Sequence, residues 1–217
     1  FVDPFLGTAG HGHTFPGPTL PFGMVQVGPD TRVDGWDGCS GYHDDDTLCL
    51  GFSHTHLSGT GCSDYGDILL FPAIGVPDWR GAHGRPSRDA NGSPFRKRDE
   101  SASPGAYAVT LRDSHVRCEL TATARTGWHR YTFPPTARAY VLIDLAHRDE
   151  VLESSLHVVN DHEIAGVRRS RAWARDQRVY FVARFSCPVR ALLAIDSVAV
   201  PGRTEASGRD VKAALSF

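Results

Sequence analysis

Apolar residues at every second position, the pattern typical of β-strands, dominate the second half of the chain. Residues 107–111 and 179–185 follow this alternation, and residues 140–145 form a continuous apolar run. Such a run predicts a central strand that is buried on both faces. No window of 12 or more residues has the 3.6-residue repeat of an amphipathic helix. The pattern therefore predicts an all-β fold, a large antiparallel β-sandwich spanning residues 1–217.

Short polar turns divide the strands into hairpins. Thr126-Gly127 predicts a turn within residues 118–133, and Asn160-Asp161 predicts another within 156–167. Trp128 and Trp173 lie in or beside strand patterns and are interpreted as core residues. Residues 80–104 are rich in Arg, Gly, Ser and Pro, which indicates a long exposed loop.

Two glycine-rich polar segments interrupt the first half of the chain, at residues 7–17 and 51–67. The second carries His, Ser, Thr, Asp and Tyr between glycines and has almost no apolar side chain. Since it looks too polar to fill a core and is followed by the apolar run 68–71, it predicts a polar loop anchored to a buried strand. Enzymes commonly present a site in this way.

Composition excludes several functional classes. The 217 residues are 41% hydrophobic with a formal net charge of −2, and no basic run suggests nucleic acid. No apolar stretch approaches the roughly 20 residues of a membrane helix. The five cysteines match no zinc pattern, although a Cys39–Cys49 disulfide would clip the loop between them.

Four sequence motifs carry a resemblance to a known family, at residues 3–17, 21–26, 29–32 and 51–59. They resemble the N-terminal domain of the family 92 glycoside hydrolases, which are exo-acting α-mannosidases. The resemblance continues through residues 119–125 and 129–134 and reaches Trp173 and residues 179–181, so it covers nearly the whole chain.

This resemblance implies a calcium-dependent, inverting enzyme that removes terminal α-linked mannose, with an α-1,2 linkage expected, and that is secreted or periplasmic. It implies that the acid and base carboxylates and the calcium ligands lie in a helical-barrel C-terminal domain absent from this chain. The partners expected are a mannose-containing glycan and that catalytic domain. The chain alone is predicted to be inactive and to hold no metal. It has no signal peptide and stops within a strand pattern at residues 210–217, so we expect a processed and truncated polypeptide.

Sugar recognition needs aromatic faces and polar groups that bond hydroxyls, and both occur in the polar segments. We expect residues 11–16, 32–42 and 54–65 to supply one wall of the pocket. The candidate substrate-binding residues are Phe15, Arg32, Trp36, Tyr42, His54, His56, Ser58, Thr60 and Asp64. Two residues apart on an extended chain, His54 and His56 are predicted to point to one side, either donating to the sugar or holding a carboxylate.

Three other functions fit the same sequence. The chain could be a free-standing carbohydrate-binding module, or a metal-dependent enzyme using the His11-Gly12-His13 and His54-Thr55-His56 pairs. It could also be a purely structural domain that docks the missing half. The first 99 residues contain no Glu to assist a metal, which weakens the second alternative. Asp44-Asp45-Asp46 lacks calcium-loop spacing and is interpreted as a solvated acidic loop.

Overall fold

A computed structural model describes residues 2–62, 64–80 and 92–217, and these residues are organised almost entirely by β-strands. Two short 3-10 helices, Trp36–Gly38 and Lys97–Asp99, are the helical elements among them. None of the described helices has the length and apolar character needed to cross a membrane. The strands, in chain order, are β1 (Gly28–Asp30), β2 (Leu48–Cys49), β3 (Gly51–Ser53), β4 (Leu69–Ile74), β5 (Ser93–Pro94), β6 (Glu100–Ser103), β7 (Ala106–Thr110), β8 (Arg117–Ala122), β9 (Gly127–Thr132), β10 (Ala139–Asp144), β11 (Glu150–Asn160), β12 (Glu163–Arg171), β13 (Gln177–Arg184), β14 (Arg190–Ile195), β15 (Val198–Ala199), β16 (Glu205–Gly208) and β17 (Val211–Ser216).

The strands form three larger sheets and a small ribbon. A seven-stranded sheet has the order β1-β3-β4-β10-β17-β14-β15, and two four-stranded sheets have the orders β13-β12-β11-β16 and β6-β7-β8-β9. The ribbon pairs β2 with β5. Every strand pair in the described part of the chain is antiparallel, which confirms the predicted fold class.

The core lies on both faces of the seven-stranded sheet. All six residues of β10 are buried. Val141 and Ile143 pack into a cluster with Leu156 of β11, while Tyr140 and Leu142 pack into a smaller cluster that includes Ala214 of β17. Burial on both faces explains why the sequence of β10 is continuously apolar rather than alternating.

A second large cluster forms around the sheet β6-β7-β8-β9. Tyr107, Val109 and Leu120 of that sheet share this cluster with Val27, next to β1, and with Phe52 of β3. The loops that follow β1 and β3 therefore emerge from strands fixed by a well-packed core.

Several elements match the sequence-based predictions and three do not. The central strand at 140–145 is β10, and the two predicted hairpins are β8–β9 and β11–β12. The prediction of a long loop at 80–104 is wrong for residues 92–104, because they contain β5, a 3-10 helix and β6. Residues 81–91 lie outside the described part of the chain. The core assignments of Trp128 and Trp173 are also wrong, since these side chains are 64% and 66% exposed. Alternation shows that a strand has two faces but does not show which one lies inside.

Candidate functional site

The two glycine-rich segments meet beside β1 and β3. The backbone N–H of Gly59 donates to the carbonyl of His13 at 2.7 Å, and that of Asp44 donates to Thr8 at 2.9 Å. Cys39 is a free thiol, like the other four cysteines, and its Sγ donates to the Thr60 carbonyl at 2.7 Å. The disulfide considered for Cys39 and Cys49 is therefore not formed, and hydrogen bonds hold the loops together instead.

Trp36 presents an aromatic face to solvent at the top of these loops. Its side chain is 63% exposed, although it opens a 3-10 helix within a loop that is otherwise well anchored. The ring lies directly on Gly61, where a Cβ would overlap it, and its edge meets the His13 ring at 5.1 Å between centroids. Glycine at position 61 is thus required for the ring to lie flat on the neighbouring loop.

A carboxylate lies beside this aromatic ring. Asp37 Oδ1 is 2.6 Å from His11 Nδ1 and 3.4 Å from His13 Nε2. The hydrogen bond from His11 holds the pKa of Asp37 below its ordinary value, so the group is a charged acceptor at neutral pH. We call Trp36, Asp37, His11, His13 and Gly61 the Trp36–Asp37 platform.

Below the platform, His56 forms a buried pair with Asp30. The His56 Nε2 lies 2.8 Å from Asp30 Oδ1, and both side chains are fully buried. His56 Nδ1 lies 2.7 Å from the Gln26 carbonyl, which can only accept. Each ring nitrogen therefore lies within hydrogen-bond distance of an oxygen acceptor. Phe15 stacks on this ring at 4.7 Å.

Asp30 also accepts a hydrogen bond from His147. His147 Nε2 is 3.1 Å from Asp30 Oδ2, and its Nδ1 has no hydrogen-bond partner among the described residues. Burial alone raises the pKa of Asp30, but the charge of His56 and the bonds from both histidines outweigh it and hold that pKa far below its usual range. Asp30 is thus a permanent anion in the interior.

Arg148 joins this buried network to the platform loop. Its Nη2 donates to the carbonyls of Gly38 at 2.7 Å and Cys39 at 2.8 Å, directly after Asp37. The residue is buried and its backbone is left-handed, with a φ of 54°. Non-glycine residues rarely adopt this conformation unless their surroundings enforce it.

Arg168 of β12 holds the Arg148 backbone in this conformation. Its guanidinium donates to the carbonyls of Leu145 and His147, each at 2.9 Å, and to that of Arg148. It also forms an ion pair with Asp67 in which both side chains are fully buried. The planar arginine guanidinium carries five N–H donors, so this one side chain can bind three carbonyls and a carboxylate at the same time.

Two carboxyl groups share one backbone donor nearby. The N–H of Tyr65 lies 3.0 Å from Asp64 Oδ1 and 2.7 Å from Asp149 Oδ2. Burial, followed by a hydrogen bond with Asp64, raises the pKa of Asp149 to about 8. Asp64 Oδ2 accepts from the N–H of Ala174, so the pair also ties down the loop that carries Trp173.

His54 belongs to a separate chain of hydrogen bonds. Its Nδ1 donates to the Ile68 carbonyl at 2.7 Å, which leaves Nε2 to accept from His129 Nε2 at 3.0 Å. His129 Nδ1 then accepts from the Tyr131 hydroxyl at 2.8 Å. Burial lowers the pKa of both imidazoles, in agreement with two neutral rings. His54 and His56 therefore join different networks, and of the two His56 holds the carboxylate.

The remaining predicted residues occupy varied positions. Arg32 Nε donates to Asp46 at 2.8 and 3.0 Å. Tyr42 is buried in the core and its hydroxyl donates to Glu100 at 2.9 Å, so it supports the loop from below. Ser58 is exposed, and Thr60 is half-buried beside Cys62. Contacts of all these residues with a sugar stay a prediction.

The expectation that the segment 51–67 is too polar for the interior is wrong. Ser53, His56, Asp64 and Asp67 are all buried. Burial of polar groups is tolerated here because each of them has hydrogen-bond partners. The segment thus builds a polar core beneath the platform instead of a wholly exposed loop.

The histidine pairs do not assemble a metal site among the described residues. No group of three or more His, Cys, Asp or Glu side chains there is placed to hold an ion. The acidic run is also dispersed: Asp46 binds Arg32, Asp44 lies 3.5 Å from Lys97, and Asp45 lies 3.7 Å from His43. The donor sets in the described residues therefore do not fit calcium.

Comparison with known proteins gives the class of this all-β chain: residues 1–217 match the family model of the glycosyl hydrolase family 92 N-terminal domain. The chain belongs to glycosyl hydrolase family 92.

Solved structures of family members share the fold. A family GH92 α-mannosidase from Bacteroides thetaiotaomicron, solved in complex with mannoimidazole, superimposes with a TM-score of 0.93 and 36% identity. An inverting GH92 mannosidase from the same organism gives 0.82 and 26%. Both matches cover the whole of this chain, but only 30% and 29% of the solved chains, so most of each relative has no counterpart in these 217 residues.

A curated protein also matches over part of the chain. An uncharacterized secreted glycosidase of Arthroderma benhamiae is 33% identical over 144 residues, covering 62% of this chain and 17% of the relative. The chain thus spans about 30% of the length of these solved relatives and 17% of the length of the curated one.

Sequence reasoning missed four residues of this network: Asp30, His147, Arg148 and Arg168. Each lies in or next to a strand pattern, where a charged residue normally marks a solvent-facing position. The one available signal was the run His147-Arg148-Asp149 directly after the most apolar strand of the chain.

Proposed function

We propose that this chain is the N-terminal domain of an exo-α-mannosidase and that the Trp36–Asp37 platform forms one wall of its sugar pocket. The observation that carries the proposal is the exposure of Trp36 beside a charged Asp37, at the point where the buried polar network ends. An aromatic face packs against the C–H side of a pyranose, while a carboxylate accepts from its hydroxyls.

We assign the chain a positioning role. Its contribution is to fix the terminal mannose against the catalytic groups, which raises the rate by orientation rather than by proton transfer. The acid, the base and a calcium ion are assigned to the remaining part of the polypeptide. Inversion, an α-1,2 preference and a secreted or periplasmic location complete the proposal and rest on the family resemblance.

A free-standing carbohydrate-binding module would use the same platform. It differs in needing no second domain, so the isolated chain would then bind mannose or α-mannobiose by itself. Calorimetry with these sugars separates the two functions: micromolar binding by the isolated chain favours the module, while binding that requires the full-length protein favours the pocket wall.

The proposal is tested in the full-length protein with α-mannobiosides as substrates. Trp36→Ala is expected to lower kcat/KM by about tenfold or more, and Asp37→Asn by a smaller factor. Trp128→Ala is the matched control, because Trp128 is equally exposed but lies on β9, on the outer face of another sheet. Equal activities of the Trp36 and Trp128 variants would overturn the assignment of the platform, and mannose release by the isolated chain would overturn its positioning role.

A further inference from the structure

We propose that Arg148 is a positioning residue that fixes the position and orientation of the Trp36–Asp37 platform, and that Arg168 holds Arg148 in its conformation. This inference rests on the proposed function, since it assigns a role in that same site. The two arginines form a continuous path from the interior of the sandwich to the exposed platform.

The outer step of the path is direct. Arg148 reaches from the segment after β10 to the carbonyls of Gly38 and Cys39, 110 and 109 positions earlier in the chain. These carbonyls close the 3-10 helix that carries Trp36 and Asp37. A guanidinium that binds two successive carbonyls fixes both the position and the rotation of that turn.

The packing around Gly41 shows that the Arg148 guanidinium lies in a tightly packed site. Gly41 has a φ of 83°, and a Cβ there would overlap Asp30 Oδ1 and lie 2.9 Å from the His56 ring and 3.1 Å from Arg148 Nη1. The guanidinium and the Asp30–His56 pair thus surround a position that only glycine fills. The permanently ionised Asp30 also compensates positive charge in this interior.

The inner step uses Arg168. Left-handed backbone at two successive residues, Arg148 and Asp149, is strained and persists only where the surroundings over-determine it. Arg168 supplies this by binding the carbonyls of His147 and Arg148, which belong to the two peptide links that flank Arg148, while it is itself paired with Asp67. The strained segment therefore aims the Arg148 side chain at the platform and not at solvent.

The consequence for catalysis is specific. Without Arg148 the carbonyls at positions 38 and 39 lose a charged donor, and the platform is free to shift by the small distance that separates productive from unproductive binding. We expect Arg148→Met in the full-length protein to lower kcat/KM for α-mannobiosides about tenfold or more. Arg148→Lys, which keeps the charge but not the planar fork, is expected to recover part of that loss.

A double-mutant cycle with Trp36→Ala separates positioning from a general loss of stability. If Arg148 acts through the platform, Arg148→Met has little further effect in the Trp36→Ala background. Arg184→Met is the control, because Arg184 is an exposed residue of β13 that pairs with Glu163 of β12, and the variant is expected to keep full activity. Full additivity of the Arg148 and Trp36 substitutions, or full activity of Arg148→Met, would overturn the inference.

The outcomes distinguish this inference from the function on which it rests. Full activity of Trp36→Ala would refute the pocket wall itself, whereas loss with Trp36→Ala but not with Arg148→Met refutes only the positioning role. If Arg148→Met does not fold, amide hydrogen exchange of Arg148→Lys decides the question. Faster exchange confined to residues 35–41 and their neighbours supports the inference, and unchanged exchange there contradicts it.

Discussion

The centre of the seven-stranded sheet and the interior below the platform are equally buried but are built from opposite chemistry. In the sheet, Val141, Ile143 and Leu215 pack among apolar neighbours. Below the platform, Asp30 and Arg168 are just as inaccessible, yet they are charged. Apolar packing holds regular strands, whereas directional charged hydrogen bonds hold an irregular segment with a left-handed backbone at Tyr65, Arg148 and Asp149. The comparison indicates that the polar interior exists to shape loops.

The two regions also respond differently to substitution. A shortened apolar side chain leaves a cavity, and the loss grows with the cavity volume. Removing one member of a buried ion pair leaves an uncompensated charge, which is costlier. The predictions below use this difference, beginning with the largest effect.

Arg168→Met is expected to have the largest effect on folding. It leaves Asp67 charged and buried and frees three backbone carbonyls, so the free energy of unfolding should fall by about 3–5 kcal/mol. Urea denaturation of the isolated chain measures this. Arg169→Met, one position along β12, removes only an exposed pair with Asp176 and should change little. Similar losses in the two variants would contradict the role given to Arg168.

Leu193→Ala tests the apolar side of the comparison. Leu193 is fully buried in β14, and its truncation should lower the free energy of unfolding by about 2–5 kcal/mol through the cavity it leaves. Because the cavity lies away from the loops, kcat/KM of the full-length protein should stay within about twofold of the wild type at a temperature where both are folded. A tenfold loss of activity would show that the two regions are not independent.

The sequence predicted the apolar region far better than the polar one. β10 was found from its apolar run and the β11–β12 hairpin from Asn160-Asp161, because both signals are local in sequence. The polar interior depends on pairs that are distant in sequence, such as Asp67 with Arg168, 101 positions apart. No periodicity marks such a partner. Trp36 was selected by its glycine-rich surroundings, but those surroundings did not reveal that Arg148 holds its loop.

The last expected effect concerns the Asp64–Asp149 pair and, unlike the others, depends on pH. The pKa of Asp149 is about 8 in the folded chain and near 3.8 when unfolded, so between these values the folded state keeps a proton that the unfolded state releases. The free energy of unfolding should therefore fall as the pH rises from about 4 to about 8, as far as Asp149 contributes. This carboxyl faces Asp64, which opposes its ionisation, and Arg168, which favours it.

Asp149→Asn should remove that slope. The amide donates to Asp64 as the Asp149 proton does, its oxygen still accepts from Tyr65 N–H, and asparagine tolerates a φ of 52°. Relative to wild type, the variant should therefore gain stability between pH 5 and pH 8, by up to about 1.4 kcal/mol per pH unit. Urea denaturation at both pH values measures the change, and Asp161→Asn, in the exposed β11–β12 turn, provides the control. A difference between variant and wild type that is the same at both pH values would show that Asp149 does not retain its proton in the fold.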